Sequence, residues 1–159
     1  MRWELIDRFE TLRRGVSSTA VKEFTGNEDF FADHFPGRPV VPEPLFIEMI
    51  AQAGGVLFGL GIDFKKEVIL AKVSNARFSA EVAPPCSFMI EAKIEEANED
   101  GALVSGVVRL KGEKVAEAEI LLAAVPELDG GLKKIVFNDR FMKHYDVLAI
   151  ARATEAAAR

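Results

Sequence analysis

Sulfur and imidazole are scarce in this chain. Its 159 residues include one cysteine, Cys86, and two histidines, His34 and His144. A single thiol cannot build an internal disulfide framework or a cysteine-based zinc finger. The chain is poor in soft metal ligands, and a reducing, cytoplasmic setting fits the cysteine count. Basic charge is also short. Lys and Arg number 20 against 25 Asp and Glu, a formal net charge of -5, which argues against a nucleic-acid module. No repeat or low-complexity tract is found. From Met1 to Gly15 charged residues (Arg2, Glu4, Asp7, Arg8, Glu10, Arg13, Arg14) are scattered among apolar ones, so no secretory signal is expected.

What is present is ordinary in amount and unusual in arrangement. Hydrophobic residues make up 49% and charged residues 28%, which suits one folded domain and excludes disorder along the whole length. From Pro44 to Ile62 the only polar side chains are Glu48 and Gln52. A carboxylate at mid-span and the lack of basic flanks argue against a membrane span. The stretch reads instead as a helix buried inside a soluble protein, roughly Leu45 to Leu57, with Pro44 in its first turn and glycines 54, 55, 59 and 61 dissolving its end. Before it, Pro36, Pro39, Pro42 and Pro44 make residues 30–44 irregular.

Strands dominate the rest. Ser17–Phe24 is short and rich in small and β-branched residues. Val68–Phe78, Ser87–Ala97, Leu103–Lys111 and Lys114–Ala124 follow, with clear alternation at Ile90, Ala92 and Ile94 against Glu91, Lys93 and Glu95. The short links at 98–102 and 111–114 predict antiparallel pairing. One apolar helix with five or more antiparallel strands is an α+β domain. The helix must be covered on every side, so the sheet is expected to wrap it and a second chain to complete its burial. A break at 126–131 separates a domain over residues 1–125 from a C-terminal helical extension, 126–159. The extension's helix spans 138–159, capped by Asn138, and reads as a solvated helix, with a docking element as the alternative. Its last stretch, 131–159, holds six basic and three acidic residues.

Chemistry concentrates in two places. Glu48 and Gln52 are four residues apart and share a helix face. A buried carboxylate is costly unless paired or protonated, and the protonated form is what a general acid requires. Gln52 can orient that carboxyl through its amide. His34 sits in the loop before the helix, where Phe35, Pro36 and Gly37 stiffen the chain around the imidazole. The helix start near Glu43 and Leu45 offers N–H groups to a carbonyl oxygen. A base, an acid and carbonyl polarisation suit proton removal beside a thioester or ketone with loss of a β-hydroxyl. His144 and Cys86 read as surface and packing residues.

The run His34-Phe-Pro-Gly-Arg-Pro-Val-Val-Pro42, followed by Leu45-Phe-Ile-Glu48-Met-Ile-Ala-Gln52, resembles the 3-hydroxyacyl-[acyl-carrier-protein] dehydratases of bacterial fatty acid synthesis. Ala76-Arg77-Phe78 with Val82 and Pro84 adds support, and the likeness spans roughly Ser17 to Ala124. The resemblance implies a hot-dog fold, a curved antiparallel sheet around one long central helix, here with an extra C-terminal helix. It implies a homodimer with shared active sites, with further assembly to a hexamer left open, and His34 of one subunit facing Glu48 of the other. His34 removes the α-proton of a (3R)-3-hydroxyacyl thioester and Glu48 assists loss of the hydroxyl as water. Val40 and the backbone at Glu43 hold the thioester carbonyl and orient the imidazole. No cofactor or metal is implied, and the substrate rides on an acyl carrier protein. Arg13, Arg14, Arg38, Lys72 and Arg77 are candidates to meet that acidic partner. The pattern's Gly after Pro42 is Glu43 here, followed by Pro44. Two alternatives remain beside dehydration: a hot-dog acyl thioesterase, and a silent acyl-thioester binding subunit, which Glu43 favours.

Overall fold

The computed structural model describes residues 4–126 and 136–158. Six strands form one antiparallel sheet: β1 (Arg8–Arg13), β2 (Ser17–Phe24), β3 (Glu67–Phe78), β4 (Cys86–Ala97), β5 (Gly101–Leu110) and β6 (Glu113–Val125). Their order is β1-β2-β4-β5-β6-β3. The helix α1 (Glu43–Gly61) lies between β2 and β3 in sequence, and α2 (Asp139–Tyr145) and α3 (Val147–Ala157) close the chain.

Turn chemistry fixes the hairpins. Between β4 and β5, the Asn98 side-chain oxygen accepts from the N–H of Asp100 (2.8 Å) and Gly101 (3.1 Å). That Asx arrangement reverses the chain without a longer loop. Between β5 and β6, Lys111 and Gly112 both take positive φ, 50° and 86°. Two such residues make the tight turn whose twist matches the flanking strands.

Alternation places the core. On β5, Ala102, Val104 and Val108 face inward, as do Ile90 and Ala92 on β4 and Ala118, Ile120 and Leu122 on β6. These side chains meet α1, whose Met49, Ile50, Ala53, Leu57 and Leu60 are fully buried. The helix touches β2, β3, β4, β5 and β6, so the sheet wraps it as expected. It is the one helix among the described residues long and apolar enough to cross a membrane, and 72% of the relevant window is buried inside the fold.

Two expectations need correction. The glycines after Leu57 do not dissolve the helix, which continues to Gly61. Glycines of the helix serve close approach. A Cβ on Gly54 would sit 2.9 Å from Val104 Cγ1, and one on Gly59 would sit 2.8 Å from Phe64 and 2.9 Å from Phe137. Burial of the surrounding apolar face offsets the low helix propensity of glycine. The strand β1 is not read from the sequence: it has no clear period-two signal because its core residues, Phe9 and Leu12, are three apart. A register shift between Phe9 and Thr11 turns both inward, leaving them 4% and 0% exposed.

The second correction is that the C-terminal extension is neither one helix nor solvated. Asp146 adopts a left-handed conformation (φ 47°) and separates α2 from α3. Asn138 does cap α2, accepting from Phe141 N–H at 3.0 Å. Tyr145, Val147 and Ala151 are buried. Tyr145 Oη donates to the Ile6 carbonyl (2.8 Å), and Leu12 N–H donates to Thr154 Oγ1 (3.1 Å). Helix α3 therefore lies along β1 and covers an edge that would otherwise expose backbone donors. The break expected at 126–131 falls mostly outside the described residues.

At the opposite edge, no strand among the described residues pairs with the outer side of β3. Ile69, Leu70 and Val73 are 36%, 39% and 39% exposed, an apolar row on an edge strand.

Candidate active site

His34 is held by its own loop. Its N–H donates to the Phe30 carbonyl (3.0 Å), and its carbonyl accepts from Val40 N–H (3.0 Å). Phe35 and Arg38 exchange two backbone hydrogen bonds, 3.1 and 2.9 Å, around Gly37 at φ 75°. A glycine is required at that left-handed position. The loop is pinned outward by Val41 N–H on the Val82 carbonyl (2.8 Å) and by an ion pair between Arg38 and Glu81.

The imidazole is half-buried, and Nδ1 lies 3.1 Å from the Val40 carbonyl oxygen. A carbonyl can only accept, so Nδ1 carries the proton in this bond. In the neutral ring that leaves Nε2 with a lone pair, in the state of a base. The Phe35 ring stacks on the imidazole with centroids 4.1 Å apart and is itself 52% exposed.

Glu48 and Gln52 sit on the face of α1 that looks into a cleft of 260 Å³. Gln52 Nε2 donates to Glu48 Oε1 (2.9 Å), while Gln52 Oε1 accepts from Leu5 N–H (2.9 Å). The amide is thus fixed from behind by the N-terminal segment and presents its donor to the carboxyl. Glu48 is half-buried within one chain rather than dry. The cleft is otherwise walled by apolar residues of α1, β3 and β6, including Ala51, Val56, Val68 and Leu122, and by Val136, Phe137 and Phe141.

The structure brings Glu48 and Gln52 together, and His34 and Val40 together. It does not join the two pairs within one chain: His34 is not among the residues lining the Glu48 cleft. Glu43 opens α1 with its side chain exposed, and it too lies outside that cleft. Pro44 has no N–H, and Leu45 N–H is engaged by the Pro42 carbonyl (3.0 Å). Of the helix-start donors expected to meet a carbonyl, Leu45 is therefore taken and Glu43 stands as the candidate. Several arginines proposed for an acidic partner are ion-paired. Arg14 Nη1 reaches Asp63 at 2.6 Å, and its guanidinium, through that hydrogen bond and its charge, holds the Asp63 carboxyl below the usual range. Arg77 lies 3.8 Å from Glu117. His144 is exposed, whereas burial, with the Glu28 charge, pushes the Cys86 thiol up to about 11. Such a thiol stays protonated and is a poor nucleophile.

The sequence reading missed the part played by residues after 135. Phe137 and Phe141 carry no motif, and only tertiary proximity puts them beside Glu48.

A wrapped antiparallel sheet around one buried helix, with a carboxyl on that helix facing an apolar cleft, defines a hot-dog-fold protein. The FabA-like domain model matches residues 1–119. A 3-hydroxyacyl-[acyl-carrier-protein] dehydratase FabZ of Clostridium acetobutylicum is 37% identical over 123 residues, covering 76% of this chain and 86% of that one. The FabZ of Enterococcus faecalis is 36% identical over 117 residues, 73% of this chain and 83% of its own. The chain belongs to the FabA-like family of 3-hydroxyacyl-[acyl-carrier-protein] dehydratases. More distant solved structures share the fold. An uncharacterized protein of Pyrococcus horikoshii has a TM-score of 0.60 at 18% identity, over 77% of this chain and 85% of that one. The dehydratase heterocomplex ApeI:P of Xenorhabdus doucetiae gives 0.56 at 16%, over 69% and 88%.

Proposed function

We propose that the protein dehydrates a (3R)-3-hydroxyacyl thioester to the trans-2-enoyl thioester in fatty acid or related acyl-chain biosynthesis. The observation that carries the reading is the 3.1 Å contact of His34 Nδ1 with the Val40 carbonyl, which assigns the proton to Nδ1 and leaves Nε2 as the base. Nε2 takes the proton from C2 of the substrate. The freed electron pair forms the C2–C3 double bond, the C3–O bond breaks, and Glu48 supplies the proton with which hydroxide leaves as water. Gln52 positions the Glu48 carboxyl. The backbone N–H of Glu43 polarises the thioester carbonyl. Phe35, Pro36 and Gly37 keep the imidazole in place. After product release, proton exchange with solvent resets the pair.

A second copy completes the site in this reading. His34 and the Glu48 cleft are not joined within one chain, and the cleft opens beside β3, whose apolar outer edge pairs with no strand among the described residues. In the proposed dimer two β3 edges pair and bury that row, and His34 of one protomer faces Glu48 of its partner. The homodimer is the minimal active unit. The acyl group arrives on the phosphopantetheine arm of an acyl carrier protein, in the cytoplasm. Residues 1–125 form the catalytic domain and 126–159 its extension.

The test is hydration of crotonyl thioester, the reverse reaction. His34→Ala and Glu48→Gln are each expected to lower kcat by at least about a thousandfold, within the scale of acid–base catalysis, with dimers retained by light scattering. Near-wild-type rates in either variant overturn the mechanism. Release of free thiol by the wild-type protein favours a thioesterase instead. Tight binding without turnover favours a silent subunit.

A further inference from the structure

The cleft beside Glu48 has an unusual wall. Val136, Phe137 and Phe141 line it, and all three lie beyond residue 119, where the family model ends. Their place is built, not incidental. Glu67, at the start of β3, is 2% exposed, and its carboxylate accepts from the N–H of Val136 (3.2 Å) and Phe137 (3.4 Å). A buried carboxylate is retained only where hydrogen bonds offset its desolvation. Gly59 leaves the space that Phe137 fills, since a Cβ there would lie 2.9 Å from Phe137 Cζ. Phe64 meets the Phe137 ring edge-on at 4.9 Å, and Phe141 meets it at 5.7 Å. The segment is thus anchored by one acid, one helix glycine and an aromatic cluster, all outside the His34 loop.

Resting on the reading that this cleft receives the acyl group, we infer that the segment from Val136 to Phe141 is the end wall of the acyl site and restricts the protein to short acyl chains. Within one protomer the cleft is small, 260 Å³, and its floor is apolar apart from Glu48 and Gln52. The rings of Phe137 and Phe141 line the cleft beside Glu48, so an acyl chain laid along that wall meets them. A fully apolar wall gives no hydrogen-bond selectivity, so discrimination by length is steric.

The experiment uses full-length protein and two readouts. The first is kcat/KM for hydration of crotonyl, octenoyl and dodecenoyl thioesters. The second is calorimetric binding of unreactive butyl and dodecyl pantetheine thioethers. The wild-type protein is expected to favour the short member of each series. Phe137→Ala raises the ratio of dodecenoyl to crotonyl kcat/KM by at least about tenfold, the scale set by methylene discrimination in apolar pockets. Phe141→Ala raises it by less. Phe141 is only half-buried, so its variant decides the matter if Phe137→Ala fails to fold. Ratios within about twofold of wild type in the folded variants, by both readouts, overturn the inference. Length-selective binding that these variants relax, in a protein that hydrates nothing, upholds the wall and defeats the dehydratase reading.

Discussion

Replacing Gln52 with Leu separates positioning from binding. The amide accepts from Leu5 N–H and donates to Glu48 Oε1, both at 2.9 Å. Leucine is similar in bulk and offers neither. Leu5 is 1% exposed, so its N–H loses an acceptor where water hardly reaches. That costs about 1–3 kcal/mol. For a domain of this size each kcal/mol moves Tm by about 2–4 °C, so the melt is expected to fall by about 2–12 °C. The Glu48 carboxyl also loses the group that orients it. A displacement of about 1 Å can cost about 100-fold in rate, and kcat for crotonyl-thioester hydration is expected to drop by about 10- to 100-fold. KM changes little, because Gln52 acts through Glu48. Scanning calorimetry and steady-state kinetics give both numbers from one preparation. An unchanged kcat refutes the positioning role, even in a variant that melts early.

Two further outcomes follow from the packing. Gly106→Ala places a Cβ 2.3 Å from Ile50 Cγ2 and 2.8 Å from Cγ1, overpacking the contact between β5 and α1. A loss of about 1–3 kcal/mol is expected in denaturant titration, and Ile50→Ala in the same chain recovers part of it; additive losses refute the contact. Tyr145 is the single tyrosine, and burial, with the nearby Glu4 and Asp7 charges, pushes its hydroxyl up to about 12. The folded state therefore holds this proton more tightly than the unfolded chain. Its stabilisation is complete below about pH 10 and is lost as pH rises through about 12. Phenolate absorbance is expected to show the high midpoint, and Tyr145→Phe removes that part of the alkaline stability loss. A midpoint near 10 in the folded protein contradicts the buried bond to Ile6.

Local pattern was enough for much of the architecture. The strand β2 and the hairpins from β4 to β6 follow from alternation and turn residues, which act over a few positions. The central helix was legible because almost nothing polar interrupts Pro44 to Ile62. The pairing of Glu48 with Gln52 follows from helical spacing alone. The bulge in β1 was hidden, because one extra residue breaks the period on which the reading depends. The helix end was misjudged for a related reason. Glycine's cost is local and visible, whereas the close contacts of Gly54 with Val104 and of Gly59 with Phe137 involve residues far along the chain.

By itself, then, the sequence determined the α+β class, the motif around His34 and Glu48, and the dehydratase resemblance, all of which depend on short-range order. Only tertiary structure decided that the C-terminal segment docks on β1, that Glu67 holds Val136 and Phe137, and that two phenylalanines wall the Glu48 cleft. Those contacts join residues separated by some seventy positions or more. Their energy comes from burial and hydrogen bonding between surfaces that exist only once the chain has folded.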